Sequence, residues 1–516
     1  MTRSIAPLPQ LVWFKRDLRV QDHRPLAVAA ERGPVIPLYV IEPELWEQPD
    51  AAWRHWAFIR SCLQTLNRDL TRLGQPLILR RGDVTAVLDE LRRATGFSTL
   101  WSHEETGNGR TFDRDRRVAA WARDRGVEWI ELPENGVIRG LQNRDGWATR
   151  WEGRMSEPMT ELRAALAPLP SLHSEPLPDI PHERLPLEQG VSLQAGGRDE
   201  GAKMFTSFLT ARGKAYQSGM SSPRTAWDAC SRLSPHLAWG NLSLREVVHA
   251  SRARVAEFHG DMSADAKVWR RSLRSFEERL HWHCHFIQKL ESRPSIEFRN
   301  LLPACDGLRE GTFDPVRFRA WTHGETGFPL VDACMRSLNT TGWLNFRMRA
   351  MLMAFSSYHL WLHWREPALH LARVFTDYEP GIHYNQVQMQ SGTTGINALR
   401  IYNPVKQSFD QDPEGVFIRR WVPELAPVPD AFIHEPWQMP DDLQRATGVV
   451  VGRDYPAPIV DHLAAAREAR QRLTAVRRQP ESRAEARDIQ QKMGSRRGAR
   501  RIPKPPSPQT ELGFDA

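Results

Sequence analysis

The sequence predicts a two-domain protein in which an open α/β sheet precedes an all-α domain. A chain of 516 residues is longer than one hydrophobic core usually supports, so at least two domains are expected. Residues 1–133 alternate short β-rich runs with helical patterns, which is typical of a parallel sheet covered by helices. Residues 200–475 show mostly helical periodicity and no strand pattern of any length.

Five apolar runs in the first domain predict its strands: LVWFK, VIPLYVIEP, LILRR, TLWSHE and EWIELP. Segments such as DVTAVLDELRRATGF, which lie between these runs, predict the helices. Strands this apolar are buried on both faces, so we expect a Rossmann-like open parallel sheet. No GxGxxG motif follows the first run, so a dinucleotide fingerprint is missing and a ligand other than NAD is expected.

The second domain is separated from the first by a long connection. Residues 134–199 include Pro- and Gly-rich stretches such as APLPSLHSEPLPDIPHERLPLEQG, which predict an interdomain linker. Residues 200–475 form the predicted helical domain, in stretches such as FTSFLTARGKAYQ and RSFEERLHWHCHFIQKLE. Residues 476–516 are rich in Arg, Pro and Ser and poor in aromatic residues, so we expect a basic, disordered tail.

Composition favours a polyanionic partner and excludes several classes of protein. Seventy Lys and Arg against 62 Asp and Glu give a formal charge of +8. The five cysteines form no CxxC pair, which argues against a disulfide scaffold, a zinc ribbon or an iron–sulfur cluster and fits a reducing compartment. No apolar run is long enough to span a bilayer and no signal-peptide pattern is visible, so we expect a cytoplasmic monomer that contacts no membrane.

The pentapeptide HWHCH at residues 281–285 has two interpretations. His281 and His285 have the i, i+4 spacing that places two rings on one helix face, a geometry that zinc ligands often use. No acidic or sulfur ligand at a second spacing is visible nearby, so we predict no metal. The second interpretation is the wall of a pocket.

Four motifs in a fixed order carry a family resemblance. WFKRDLRVQDHRPLAVA lies near the start, and WTHGETGFPLVDACMRSLNTTGWLNFRMRAMLMAF lies in the helical half, followed by RIYNPVKQ and GVFIRRWVPEL. In these motifs the chain resembles the photolyase/cryptochrome family of blue-light flavoproteins, over nearly its whole length. The resemblance implies FAD in the helical domain and leaves open an antenna chromophore, of folate or deazaflavin type, in the first domain.

The stretch CSRLSPHLAWGNLS resembles the family's phosphate loop. It places Ser231 and Ser234 just before a helical pattern, where hydroxyl groups and free backbone N–H groups suit a pyrophosphate. Cys230 stands where threonine is usual. Without the resemblance, an ordinary serine N-cap is the simpler interpretation.

A second set of residues matches the family's flavin contacts. Arg349 and Asp377 fall at its paired Arg and Asp beside the flavin ring, and Glu379 replaces a second Asp. A cation and a carboxylate suit the charge and the N3–H of a reduced flavin, although without the resemblance they indicate a surface ion pair. The residues that the resemblance implies for FAD binding are Tyr216, Ser231, Arg232, Leu233, Ser234, Phe276, Arg349, Asp377, Glu379 and His383.

The resemblance also assigns HWHCH. Trp282 falls on the tryptophan that lines the lesion pocket of the family's repair members, where an indole would stack on a flipped base. Core packing is its alternative role. The residues implied for this pocket are Arg279, Trp282, His283 and Met389, and the neighbours Phe346, Ala350 and Val387 also depart from the pattern of cyclobutane-dimer photolyases.

Two further functions of the family are assigned residue by residue. For electron transfer, Trp364 matches the middle tryptophan of the family's chain, and Trp361, Tyr358 and Tyr384 are candidate substitutes for the others. For DNA contact, Arg347, Lys406 and Gln407 lie near the expected pocket mouth, where cations would hold phosphates. Solvated surface charge is the alternative role of the two cations.

The leading functional hypothesis is a deoxyribodipyrimidine photolyase, which repairs ultraviolet-damaged DNA with light and reduced FAD. The alternative is a cryptochrome, a photoreceptor with the same fold and flavin that signals instead of repairing. A third class, a light-independent nucleic-acid-binding module, requires idle flavin motifs, and absorption in the flavin bands would exclude it.

Overall fold

The structure is a computed structural model that describes residues 7–163, 165–169 and 172–495. Its first domain is a five-stranded parallel sheet in the order β3-β2-β1-β4-β5. The strands are β1 Gln10–Phe14, β2 Val35–Ile41, β3 Ile78–Arg81, β4 Thr99–His103 and β5 Glu128–Leu132. The helices are α1 Arg24–Arg32, α2 Pro43–Trp46, α3 Trp53–Arg72, α4 Val84–Thr95 and α5 Gly109–Arg125. The predicted open parallel sheet is confirmed.

The alternation of side chains along β1 explains why this sheet has helices on both faces. Val12 and Phe14 belong to the apolar cluster on one face, and Leu11 and Trp13 belong to the cluster on the other. Strand order reverses beside β1, so the carboxyl ends of β1 and β4 flank the point where sheets of this type open a ligand crevice.

The second domain is helical, as predicted, and in its described residues the β pairing is limited to a bridge between Val451 and Tyr455. No helix among the described residues is long and apolar enough to cross a membrane. The helices after the sheet are α6 Trp147–Ser156, α7 Arg198–Thr210, α8 Tyr216–Gly219, α9 Pro223–Ala229, α10 Ser234–Ala238, α11 Leu244–Glu257, α12 Ala264–Ser292, α13 Pro315–His323, α14 Pro329–Thr341, α15 Phe346–Ala354, α16 Arg365–Val374, α17 Pro380–Ser391, α18 Pro404–Gln411, α19 Val416–Trp421, α20 Asp441–Thr447, α21 His462–Arg478 and α22 Pro480–Met493, with a π-helical segment at Phe355–His359.

Two helices lie where the sequence predicts none. Helix α6 interrupts the predicted linker, because Trp147, Trp151 and Met155 bury one face of it in the core of the helical domain. Helix α22 covers part of the predicted disordered tail, and its Ile489 and Met493 join the largest apolar cluster. The rest of that predicted tail, residues 496–516, lies outside the described residues.

The long helix α12 crosses α17 at very close range. A Cβ atom added to Gly381 would lie 2.6 Å from the Cα of Ile287, so only glycine permits this separation. The Asn385 side-chain amide donates to the backbone oxygen of Phe286 over 3.0 Å. Since α12 carries Trp282 and α17 carries Met389, this crossing sets the spacing of the predicted pocket walls.

The two domains are joined by polar contacts that are buried. His55 Nε2 on α3 lies 3.0 Å from the backbone oxygen of Phe375, and its N–H must donate because a carbonyl oxygen only accepts. The Tyr378 hydroxyl donates to Asp50 over 2.6 Å. Both contacts link the first domain to the segment that leads into α17.

We expect the protein to lose stability below neutral pH, partly through His55. Burial lowers the pKa of His55 to about 4. Below pH ~6.5 the unfolded chain therefore binds a proton at His55 that the folded chain does not bind. This difference lowers the free energy of unfolding by up to about 2 kcal/mol at pH 5. Urea unfolding at pH 7 and pH 5 measures this loss. His55→Gln keeps an N–H donor without the titration and should show a smaller pH dependence; an unchanged difference would contradict the assignment.

Candidate functional site

Arg349 and Asp377 form a bidentate ion pair between α15 and the turn before α17. The two terminal nitrogens of Arg349 donate to the two carboxylate oxygens of Asp377 over 2.9 and 2.8 Å. Arg349 Nε donates to the backbone oxygen of Leu344 over 2.6 Å, and the guanidinium packs on the ring of Phe375. The Asp377 side chain is 3% exposed and that of Arg349 is 25% exposed. The structure therefore places the two predicted flavin neighbours side by side.

Glu379 and His383 have partners within the protein. Glu379 lies 3.2 Å from the guanidinium of Arg16, which also donates to the backbone oxygens of Ala238 and Tyr378. Burial raises the pKa of the Glu379 carboxyl. His383 Nε2 donates to the backbone oxygen of Ala368 over 2.9 Å, and burial lowers the pKa of its ring to about 4. Glu379 thus bridges the domains, and its predicted contact with FAD stays a prediction.

The predicted phosphate loop makes a sharp bend before α10. Arg232 has a φ of +56°, a left-handed conformation that is uncommon outside glycine. The sequence places Ser234 just before the helix, but Ser234 is the first residue of α10, the N-cap position is held by Leu233, and no side chain caps this helix. The Ser231 hydroxyl accepts only a long bond, 3.4 Å, from the Leu233 N–H. The serines therefore do not act as the N-caps that were the alternative interpretation.

Unpaired polar atoms test whether these residues fit the predicted cofactor. Among the described residues, Arg232 Nε and Asn345 Oδ1 are buried without a hydrogen-bond partner. Arg232 belongs to the phosphate loop, and Asn345 is the N-cap of α15, the helix of Arg349. A donor at the loop suits a phosphate, and an acceptor at α15 suits a ring N–H, so the residues fit FAD.

Tyr216 and Phe276 stand in an aromatic cluster behind the phosphate loop. Their rings lie 5.8 Å apart and edge-on, and both contact Phe208. Burial raises the pKa of the Tyr216 hydroxyl, which faces Cys230 and Arg279. The cluster connects the loop to α12, one turn before HWHCH.

Trp282 is half-buried on α12. Its ring stacks on Phe286 at 5.7 Å, with an interplanar angle of 27°, and meets the edge of His285 at 5.0 Å. His283 points in another direction, toward the interface with the first domain, and burial together with the charge of Arg16 lowers its pKa to about 4. Of the two adjacent residues predicted for the pocket, Trp282 therefore keeps a partly open ring and His283 faces the domain interface.

The two outer histidines of HWHCH do not have the surroundings of metal ligands. His281 meets the edges of Trp147 and Trp151 at 4.9 and 5.0 Å. The Arg144 guanidinium donates to the backbone oxygen of His285 over 2.6 Å and lies 3.3 Å from its Nδ1. A guanidinium holds the place beside His285 that a metal cation would need, so the pocket-wall interpretation is favoured.

Arg279 and Phe346 form the edge of the same region. The Arg279 guanidinium lies over the Phe346 ring at 5.3 Å. Phe346 is nevertheless 46% exposed. Arg279 is one turn before Trp282 on α12, so the two side chains share a helix face. Met389 is half-buried on α17, and Val387 is buried.

The tryptophans predicted for electron transfer lie in different apolar clusters. Trp364 is fully buried, donates to the Asn300 side chain over 2.8 Å, and lies 6.5 Å from the ring of Tyr384. Trp361 lies between the guanidinium groups of Arg309 and Arg472, at 4.3 and 4.8 Å. Two flanking cations disfavour a positively charged Trp361, whereas no such pair of cations covers the ring of Trp364 or Tyr384 in the part of the chain that the structure describes.

The predicted DNA contacts differ in accessibility. Lys406 is exposed and pairs with Asp410 one turn later. Arg347 is half-buried on α15. Gln407 is 8% exposed because α18 packs on that face, so its predicted role as a surface DNA contact is not supported.

Sequence reasoning missed the part played by Arg16. It follows β1 and lines a cavity of about 50 Å³ at the carboxyl ends of β1 and β4, together with Glu104, Glu134 and His283. Burial raises the pKa of Glu134 to about 7. The signal was present in the motif WFKRDLR, because a charged residue directly after a buried strand faces the crevice of the sheet.

A buried group of Asp17, His23 and His103 was also missed. Its ligand atoms lie within 4.8 Å of one another, close enough for a metal. However, His23 Nδ1 accepts the Leu26 N–H over 3.1 Å, so the neutral ring carries its proton on Nε2 and donates to Asp17 over 2.9 Å. His103 Nδ1 lies 2.7 Å from the same oxygen. These hydrogen bonds account for the geometry, and the group braces the loop of Arg16.

Comparison with protein families matches both domains. Residues 10–140 match the family described as DNA photolyase, and residues 276–475 match the FAD binding domain of DNA photolyase. The predicted cofactor, FAD, is confirmed by this match.

Named relatives and solved structures agree with the families. The chain is 32% identical over 468 residues to a deoxyribodipyrimidine photo-lyase of Streptomyces griseus, covering 87% of this chain and 96% of that one. It is 29% identical to cryptochrome-2 of Arabidopsis thaliana, covering 87% and 76%. A bacterial class III photolyase from Agrobacterium tumefaciens superposes with a TM-score of 0.80 at 26% identity over 93% of this chain and all of that one. A Synechocystis cryptochrome gives 0.78 at 25% identity over 91% and 99%.

Proposed function

Because this chain belongs to the photolyase/cryptochrome family, we propose that it is a deoxyribodipyrimidine photolyase, which uses light to repair ultraviolet-induced pyrimidine dimers in DNA. The observation that carries the proposal is the partly exposed ring of Trp282, one helical turn from the Arg279–Phe346 edge. An indole and a phenyl ring that are open on one face suit the flat faces of a flipped base.

When bound, FAD supplies the light-driven electron that opens the bonds joining the two pyrimidines. The residues of the chain itself bind FAD and orient it. In this proposal Arg349 and Asp377 hold the ring, the segment Ser231–Ser234 holds the phosphates, and Tyr216 and Phe276 support that segment. The bidentate pair with Asp377 fixes the orientation of the Arg349 guanidinium beside the ring.

Damaged DNA would meet α12, α15 and α18. Trp282 would stack on the lesion, while Arg347 and Lys406 would contact flanking phosphates, which fix register without reading sequence. The Lys406 ammonium is solvated and its pair with Asp410 is a weak surface contact, so a phosphate can replace the carboxylate. Contacts of this kind make affinity fall as salt concentration rises.

An antenna chromophore does not fit the cavity between the domains in this structure. The cavity of about 50 Å³ is far below the roughly 300 to 1,000 Å³ that pockets for such molecules have. Its lining includes Arg16, Arg139, Glu104, Glu134 and Glu379, which is also too rich in charge for a large aromatic molecule. The type of antenna and any site for it stay a prediction.

The second candidate function is a cryptochrome-type photoreceptor with FAD and no repair activity. The specific observation in its favour is the composition of the far wall of the pocket, where α17 offers the half-buried side chain of Met389 instead of an aromatic ring. An aliphatic wall stacks less favourably on a base than an aromatic ring does. Cytoplasmic location and a monomeric state stay predictions for both functions.

Repair itself is the test that separates the two functions. FAD-loaded protein, reduced chemically so that the electron supply is not limiting, is illuminated with an oligonucleotide that contains a cyclobutane dimer. We expect intact thymines to return in blue light and not in a matched dark sample. A reduced, flavin-loaded protein that restores no thymine in light would move the proposal to the photoreceptor.

A substitution of Trp282 tests its predicted stacking. Trp282→Ala should weaken the preference for damaged over undamaged duplex by about 1 to 3 kcal/mol, the scale of one lost base–aromatic stack, with little change in flavin content. A core role predicts instead a loss of roughly 3 to 5 kcal/mol of stability. Titration with both duplexes and a melting curve distinguish the two. Phe112→Ala is the matched control, because Phe112 is 52% exposed on α5 of the first domain.

A further inference from the structure

A cationic cluster with a buried centre lies at the C-terminal end of α17, outside the proposed flavin and lesion sites. We call it the Arg309 cluster; it consists of Arg309, Tyr358, Trp361, Arg472 and Arg477. It joins the loop after Pro303–Cys305 to the π-helical segment Phe355–His359 and to α21. Trp361 and Tyr358 are also candidates for electron transfer, but no member of the cluster contacts the proposed flavin or lesion residues in the proposed repair reaction.

Arg309 is the most deeply buried cation of the cluster, at 2% exposure. One terminal nitrogen donates to the backbone oxygen of Ser391 over 3.1 Å. Among the described residues, its Nε and its other terminal nitrogen have no hydrogen-bond partner. A guanidinium buried with two open donors is costly unless something absent from the protein chain satisfies them.

No carboxylate among the described residues pairs with the Arg309 guanidinium. The adjacent Glu310 carboxylate accepts from the Arg309 backbone N–H and from Asn300, and faces His363. Burial lowers the pKa of Arg309 to about 10, as expected for a cation with little compensation. The contact with the Trp361 ring, at 4.3 Å, offsets part of this cost but accepts no classical hydrogen bond.

Two further donors face the same centre. Arg477 donates to the backbone oxygens of Gly392 and Asn397, and its buried Nε has no partner in the described chain. The Tyr358 hydroxyl is likewise buried and unpaired. Arg309 and Arg477 donate to the adjacent carbonyl groups of Ser391 and Gly392, and a Cβ atom added to Gly392 would lie 2.8 Å from the Tyr358 hydroxyl, so the three groups meet at the end of α17.

The end of α17 explains part of this arrangement. Arg309 and Arg477 donate to its last carbonyl groups, at Ser391 and Gly392, and a helix C-terminus carries roughly half a negative charge. Glu310 also acts electrostatically on Arg309, but no carboxylate among the described residues forms an ion pair with either guanidinium, so net positive charge remains there. Water could satisfy the open donors, but it would not neutralise the charge. A divalent anion with several oxygens does both.

We propose that the Arg309 cluster binds an oxyanion of the phosphate type. Arg309, Arg477 and Tyr358 would each donate to it, and Trp361 would keep the Arg309 guanidinium in position. The local backbone supports a specialised site: π-helical segments occur frequently at functional sites, and Trp361 holds a φ of +55°, which is strained for a bulky residue. The bound anion would tie α17 to α21 and so stabilise the folded chain.

The test measures phosphate binding to the full-length, FAD-loaded protein. Melting temperature is recorded against inorganic phosphate, sulfate and chloride at equal ionic strength, and binding is measured directly by calorimetry. We expect phosphate and sulfate to raise the melting temperature with saturation and chloride not to do so. Adenosine monophosphate is the second arm. A response to it as well indicates a phosphate-ester ligand, a response to inorganic phosphate alone indicates the free anion, and both support the site.

Variants assign the effect to the Arg309 cluster. Tyr358→Phe removes one hydroxyl and should weaken phosphate binding about tenfold, and Arg309→Met should weaken it more. Arg254→Met is the matched control, because Arg254 also covers aromatic rings, Phe258 at 4.6 Å and Trp269 at 5.1 Å, and lies on α11, which carries no member of the cluster. The proposal is overturned if phosphate stabilises no more than chloride does, or if Tyr358→Phe binds phosphate as tightly as the natural chain.

Discussion

Asp377→Ala is expected to yield a folded protein that purifies without FAD. The Asp377 carboxylate is buried and accepts two bonds from Arg349. Removing it leaves the guanidinium unpaired and free to turn away from the ring site. Breaking a buried pair on one side typically costs about 3 to 5 kcal/mol, and the partial exposure of Arg349 places this pair toward the lower end. Flavin absorption per mole of purified protein measures the loss.

A surface pair provides the control for this prediction. Arg419 and Asp430 form a similar ion pair over 2.7 Å, but Asp430 is 80% exposed. Asp430→Ala should therefore change stability by less than about 1 kcal/mol and leave flavin content unchanged. Should Asp377→Ala retain its full complement of FAD with an unaltered spectrum, the assignment of this segment to the flavin would be wrong.

Gly381→Ala is expected to disrupt the contact between α12 and α17. Its new methyl group would lie 2.6 Å from the Cα of Ile287, and backbone atoms cannot yield as a flexible side chain can. Overpacking of this kind typically costs about 1 to 3 kcal/mol, and here it also separates the helices that carry Trp282 and Met389. We therefore expect lower stability together with weaker lesion preference, measured by denaturant unfolding and by titration with damaged duplex.

Gly153→Ala is the matched control, because nothing lies within 4 Å of the Cβ added there and Gly153 is inside α6. It should stabilise the protein by up to about 1 kcal/mol, since alanine is the better helix former. If Gly381→Ala is as stable as Gly153→Ala, the close crossing does not exist in solution.

The sequence predicted the fold class because its signals are local. The apolar runs around Leu11, Leu38 and Leu100 lie in β1, β2 and β4, since strands buried on both faces need no partner to be recognised. The long helical periodicity of residues 264–292 likewise identified α12. Helices α6 and α22 were missed because their apolar residues are few, and each becomes stable only when the rest of the domain covers it.

Within the candidate site, the motifs assigned both Arg349 and Asp377 to the surroundings of the flavin ring. The structure places their side chains 2.8 Å apart. The resemblance of the motifs also assigned Trp282 to a pocket wall. Contacts between residues of the two domains could not be predicted from the sequence. Glu379 meets Arg16 across 363 positions of the chain, and no periodicity or composition links residues so far apart.

By itself, the sequence determined the two domain classes, the family and its flavin, and the residue types present at each motif. Those depend on short-range patterns of apolarity and on motifs that are readable along the chain. Only the tertiary structure decided which side chains are buried and which charges have partners, because both depend on contacts between distant segments. In the folded chain Gln407 is buried. Trp361 lies between two cations, and Arg309 has donors without partners among the described residues, so the Arg309 cluster is visible only in the folded chain.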